Sequence, residues 1–192
     1  MTVLEIPTGT EQMTVTQFEE ILQLPENSDR LLELVNGEIV EKMPTEEHGM
    51  IATNVNIALG LFSRETKSGR VGTEVRYQTA EDEQNSRLSD VSFTSARRPV
   101  VRRGSVPHYP DLAVEIKSPD DSVRKLREKA EYYLENGVAM VWLIYPEQRM
   151  VEVYTPDGDV EILFEGDMID GGEVLPGFSM PVTEVFDDPL AE

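Results

Sequence analysis

The chain has 192 residues, no cysteine and a formal net charge of −20, which excludes a disulfide scaffold, a thiolate nucleophile and a thiolate metal site. A composition of 39% hydrophobic and 28% charged residues reads as a globular chain with enough length for one domain and a sizeable core, so residues 1–192 are expected to form a single domain. No apolar run reaches the length of a membrane span, and Met1-Thr2-Val3-Leu4-Glu5 lacks the basic start and apolar stretch of a signal peptide; a cytoplasmic protein with no membrane partner is the expectation.

Thr14-x-x-Gln17 ahead of Phe18, Ile21 and Leu22 predicts a capped helix over about 14–24. Residues 31–35 and 38–43, joined by Asn36-Gly37, predict a tight hairpin that Pro44 ends. Ile51, Val55, Ala58, Leu59 and Phe62 recur at helical spacing and predict a long helix over 46–64, closed by Ser68-Gly69. Strands follow at 71–79 and 88–94, then a basic loop over 96–110 with Arg97, Arg98, Arg102 and Arg103, then a strand over 111–117. A helix over about 122–135 stops at Gly137, and the unbroken apolar run 138–145 predicts a central strand. Residues 148–154 and 160–164 predict a second hairpin around Pro156-Asp157-Gly158, with a short segment near 182–186 closing the chain. The order of elements predicts an α+β (mixed α/β) fold, a mixed sheet flanked by helices with hairpins towards both ends.

The strand at 111–117 carries the chemistry. Leu112, Val114 and Ile116 share one face, while Asp111, Ala113, Glu115 and Lys117 share the other. A carboxylate and an ammonium thus stand where a buried strand would place apolar groups. Upstream, Ser89-Asp90-Val91-Ser92-Phe93 offers a second acidic strand. Phosphodiester hydrolysis needs the developing charge neutralised, a water activated and the leaving oxygen stabilised, and hard divalent cations on oxygen ligands do much of this. Asp90, Glu115 and the Ile116 carbonyl could clamp such an ion, with Lys117 orienting or deprotonating the water. An exposed ion pair on an edge strand would produce the same Glu-x-Lys pattern. Asp111 is set aside, because side chains four residues apart on a strand stand roughly 13 Å apart, too far to share an ion with Glu115. The only net-positive stretch of the chain, residues 85–133, contains all these groups, which softens the conflict between an acidic protein and a phosphate ligand.

Several ordered motifs together resemble one known family: Glu33-Leu34-Val35-Asn36-Gly37-Glu38-Ile39, His48 opening a helix, Ser89-Asp90-Val91-Ser92-Phe93, Pro110 through Glu115-Ile116-Lys117-Ser118-Pro119, Lys129-x-x-x-Tyr133, Gly137-Val138-x-x-Val141-Trp142 and Leu175-Pro176-Gly177-Phe178-Ser179. Over roughly residues 15–186 the chain is similar to the Uma-type endonucleases, relatives of restriction endonucleases in the PD-(D/E)XK superfamily. The resemblance implies a restriction-endonuclease-like core over about 28–165, a C-terminal extension over about 166–192, and Mg²⁺ (or Mn²⁺) as cofactor. It implies Asp90 and Glu115 as metal ligands, Lys117 as the catalytic lysine, Glu33 as an accessory acid, and Lys129 as the helix lysine that some relatives use instead. The implied activity is endonucleolytic cleavage of nucleic acid, DNA first, with His48, Arg97, Arg98, Arg102 and Arg103 as candidate substrate contacts. A homodimer would be one way to build a duplex-sized groove. Two other readings stay open: a catalytically silent binding module on the same fold, and a metal-dependent phosphoesterase acting on small nucleotides.

Overall fold

A computed structural model describes residues 12–190; the reading of the first five residues lies outside them. Helix α1 (Val15–Leu22) begins at the reciprocal cap that the sequence encodes. The Gln17 amide N–H donates to Thr14 Oγ1 at 3.4 Å, and the Thr14 N–H donates to Gln17 Oε1 at 2.8 Å. Its buried Phe18 packs with Leu32 and Leu34 of β1 (Leu31–Val35), which returns as β2 (Glu38–Lys42). Asn36 and Gly37 both have positive φ, 50° and 78°, the primed geometry that matches the twist of a hairpin.

Helix α2 (Glu46–Thr66) is capped by Thr45, which accepts the His48 N–H at 3.3 Å. Its C-terminal end departs from the sequence expectation. Lys67, not glycine, takes the left-handed conformation at φ 55°. Gly69 already opens β3 (Gly69–Tyr77), where a Cβ would collide with the Thr94 carbonyl and the Phe93 ring. The glycine serves a close strand approach and not a helix stop.

Six strands make the main sheet, in the order β3, β4 (Arg87–Ser95), β5 (Leu112–Ile116), β6 (Met140–Tyr145), β7 (Met150–Tyr154) and β8 (Val160–Phe164). Only β5 and β6 run parallel, and helix α3 (Val123–Glu135) is the crossover that a parallel pair requires. Gly137, at φ 85°, ends that helix as expected, and the Val138 N–H donates to the Tyr133 carbonyl at 3.0 Å. Helix α2 lays Ile51, Val55 and Leu59 against Val114, Trp142 and Ile144 on one face of the sheet. Helix α3 lays Leu126, Ala130 and Tyr133 against Ala113, Val141 and Leu143 on the other. Burial on both faces explains the unbroken apolar run of β6. The fold is therefore a mixed α+β sheet flanked by helices.

The second predicted hairpin is present as β7–β8 and extends the main sheet. Beyond it lie two strands the sequence did not announce, β9 (Met168–Asp170) and β10 (Ser179–Pro181), paired antiparallel, and a short helix α4 (Val182–Val185). They are not an appendage: Ile169, Leu175, Phe178 and Val182 fill the α2-side core, with Phe178 stacked on Trp142 at 5.9 Å. Among the described residues no helix is long and apolar enough to cross a membrane.

Candidate active site

Strands β4 and β5 pair with Val91 opposite Val114. One step further the register would set Asp90 opposite Glu115, but the ladder stops there. The Asp90 carboxylate takes over: its Oδ2 accepts the Ile116 N–H at 2.7 Å. Two lysines from other elements then close the site. Lys42, at the end of β2, donates to Asp90 Oδ1, to Glu74 Oε2 at 3.2 Å and to the Leu88 carbonyl at 3.2 Å. Lys129, on α3, donates to Glu115 Oε2 at 2.8 Å and to the same Leu88 carbonyl at 3.3 Å, and pairs with Glu33 at 3.0 Å. Glu33 also accepts the Leu88 N–H at 2.7 Å. The Tyr133 hydroxyl, one turn from Lys129, donates to Glu115 Oε1 at 2.8 Å. His48, in the first turn of α2, places Nε2 3.1 Å from Asp90 Oδ2.

Asp90 and Glu115 are each 2% exposed and Glu33 4%, yet all three line a cleft of about 610 Å³ together with Lys42, His48 and Lys129. Burial works against ionising Asp90, but the Lys42 ammonium and His48 outweigh it and hold the carboxyl well below the usual aspartate range. Burial pushes Glu115 up to about 7, with Asp90 and Glu33 adding to it against the pull of Lys129 and Lys42. Burial also opposes the charge on Glu33, but Lys129, Lys42 and the Leu88 N–H bring it below the ordinary value. Glu33 is thus the acid of the Lys129-bridged pair that is held below its ordinary value, and Glu115 the one raised above it. Burial would discharge both lysines, but the surrounding carboxylates raise them, so Lys42 and Lys129 are ammonium ions. His48 follows the same pattern: burial lowers it, and Asp90 more than compensates.

The structure thus brings together five of the residues read from the sequence: Asp90, Glu115, Glu33, Lys129 and His48. Ile116 lines the same cleft. It does not bring Lys117. Strand β5 ends at Ile116, and the Lys117 amine donates to the Ser118 carbonyl at 3.1 Å; Ser118 lines the cleft but Lys117 does not. For Lys117 to share a face with Glu115, the strand would have to continue past Ile116. Nor do Arg97, Arg98, Arg102 or Arg103 line the cleft. Their loop leaves the opposite end of β4, where Arg98 binds the Tyr109 carbonyl at 2.6 Å and Asp111 at 3.3 Å. Asp111 accepts the Ser95 N–H at 2.8 Å, a structural role that agrees with setting it aside.

Lys42 and Glu74 were missed. Lys42 ends a strand whose other residues are exposed, and nothing local marks it. Glu74 sits mid-strand at φ 48°, a left-handed conformation costly for a residue with a side chain. That kink is invisible in the sequence.

The donor set fits a hard divalent cation in type and in charge: every candidate ligand is oxygen, and four carboxylates face two ammonium groups and one histidine. Among the described residues no group of three or more His, Asp or Glu side chains surrounds one point. A magnesium-type ion asks for no such cage, since one or two carboxylates with a carbonyl and water suffice.

The family described as "Uma2: Putative restriction endonuclease" matches residues 18–183. The crystal structure of a putative nuclease belonging to DUF820 from Anabaena variabilis is similar at a TM-score of 0.77 and 24% identity, covering 91% of this chain and 97% of that one. A cryo-electron-microscopy DrdV–DNA complex matches at a TM-score of 0.36 and 17% identity, covering 68% of this chain and 11% of that one. No curated protein matches the chain.

Proposed function

The chain belongs to the Uma2 putative restriction endonuclease family, and from that premise we propose that it hydrolyses nucleic-acid phosphodiester bonds, DNA being the first candidate, in the Asp90–Glu115 cleft. The observation that carries the reading is the arrangement of Asp90 and Glu115, set on adjacent strands and linked through Lys42 and Lys129 at one carbonyl. Asp90, Glu115 and the Ile116 carbonyl would hold Mg²⁺ or Mn²⁺. When bound, such an ion supplies Lewis-acid polarisation of the phosphoryl oxygen and a more acidic water. The protein's own groups do the remainder. Lys42 and Lys129 are fixed cations that face the charge gathering on phosphate. Glu33 and Tyr133 hold Lys129 and Glu115 in position, and His48 orients Asp90.

The test is conversion of supercoiled plasmid to nicked or linear product in Mg²⁺ or Mn²⁺. The wild type should cleave, and Asp90→Asn and Glu115→Gln should each lose about a hundredfold or more, the scale of removing one electrostatic stabiliser. Equal activity in all three would refute the site. The net charge of −20 favours a second reading, a phosphoesterase for small nucleotides, because a duplex is repelled by most of the surface. That enzyme would turn over a dinucleotide while showing little salt-dependent duplex binding.

A further inference from the structure

Arg87 opens β4 beside the acidic cluster and takes no part in the ion pairs described above. It is 6% exposed and lines the same cleft. Its guanidinium lies over the Tyr132 ring, 4.6 Å from the centroid. That ring is fixed, because the Tyr132 hydroxyl donates to Asp82 at 2.8 Å and shares a 2.8 Å hydrogen bond with the Tyr109 hydroxyl. Arg87 Nε is buried without any hydrogen-bond partner. Among the described residues the guanidinium forms no ion pair, although Asp82 pairs with Tyr132 nearby and Glu33 feels the Arg87 charge.

A buried cation left without an anion is costly, and most proteins neutralise it with a carboxylate. Here acids surround the position, but they are taken: Glu33 and Glu115 by Lys129, Asp90 by Lys42 and His48. The aromatic stack holds the guanidinium plane and leaves its edge free. With Nε enclosed, the donors left for a ligand are the terminal nitrogens. A planar fork of N–H groups matches two oxygens of a tetrahedral anion, and arginine keeps its charge at any accessible pH.

We propose that Arg87 is a phosphate-binding residue of this cleft, receiving a backbone phosphate of the polynucleotide next to the Asp90–Glu115 pair. The inference rests on the nuclease reading. Arg87 binds and positions; it replaces no part of the hydrolytic group. Tyr132 serves it as a platform, which gives the cluster of tyrosines under α3 a purpose beyond packing.

The test is the affinity of a fluorescein-labelled DNA duplex for the full chain, by anisotropy in Ca²⁺ across a series of salt concentrations, for wild type, Arg87→Gln and Arg87→Lys. Arg87→Gln should weaken binding about tenfold and flatten the slope of log K against log salt by about 0.9, the contribution of one phosphate contact. Arg87→Lys should keep the wild-type slope and recover part of the affinity, and it guards against a glutamine variant that fails to fold. A thermal melt that drops while slope and affinity stay at wild-type values would overturn the proposal and leave Arg87 a structural stack. Unchanged binding by both variants, with a wild type that still cleaves plasmid, overturns it while the nuclease reading stands. A wild type that neither binds the duplex nor cleaves overturns both.

Discussion

Lys129 pairs with Glu33 and Glu115 together, and Lys42 holds Asp90 and Glu74 together; the lysine of the Glu-x-Lys motif does neither. Cleavage assays should therefore rank the lysines in an order the motif would not suggest. Lys117→Ala should stay within a few-fold of wild type, and Lys42→Met and Lys129→Met should lose most activity. Circular dichroism must accompany the two methionine variants, since leaving a buried carboxylate unpaired costs about 3–5 kcal/mol. A dead Lys117→Ala with its fold intact would restore the motif lysine to the site. Glu74 makes a second residue-scale prediction. Its φ of 48° suits glycine, so Glu74→Gly should be more stable than Glu74→Ala by about 1 kcal/mol in denaturant unfolding. Equal stability would mean the kink stores no strain. Glu115 was legible because it interrupts a strand that is otherwise apolar on both faces, and Asp90 because it offers a second acidic strand upstream of it. Lys42 and Glu74 reach the site through tertiary contacts and a local backbone kink, for which no spacing rule exists.

Helix α3 carries Lys129 and Tyr133 into the site, and a second buried acid fixes its position on the sheet. Glu152 of β7 is 1% exposed and accepts hydrogen bonds from Tyr145 at 2.8 Å, Tyr154 at 2.9 Å and the Arg127 Nε of α3 at 3.2 Å. Burial alone would raise this carboxyl, but Arg127 and the two hydroxyls lower it below the ordinary glutamate value of 4.5. A depressed folded value stabilises the protein above the unfolded value, and that stabilisation is lost as pH falls through the folded one. Wild type should therefore exceed Glu152→Gln by about 1–3 kcal/mol at neutral pH, with the gap closing below about pH 4. A gap that does not change with pH would assign the difference to packing. Among the elements, β6 was legible because a strand buried on both faces reads as one apolar run. The ladder of β9 and β10 was not, since three-residue strands show no alternation to read. The stop of α2 was misread because Gly69 answers a steric demand from β4, not from its own helix.

At the scale of the whole molecule the similarity covers almost the entire chain. The Uma2 match runs over residues 18–183, and the similarity to the putative nuclease from Anabaena variabilis covers 91% of the chain. The order of motifs held that information, whereas composition pointed the other way: a net charge of −20 repels a polynucleotide. The structure concentrates the conflict in one place. The cleft gathers lysine, arginine and histidine among its acids, while much of the remaining acid lies on exposed elements. A divalent cation would relieve the excess of carboxylates there. Binding to the native state alone should also stabilise the fold, by about 2.7 kcal/mol at a hundred times the dissociation constant.

Calorimetric titration of Mg²⁺ and Mn²⁺, paired with thermal melts, measures that site without a substrate. Saturable binding and a raised melting temperature are predicted for the wild type, with both signals lost in folded Asp90→Asn and Glu115→Gln variants. A wild type that takes up no ion, or variants that bind it as tightly as the wild type, would contradict the account.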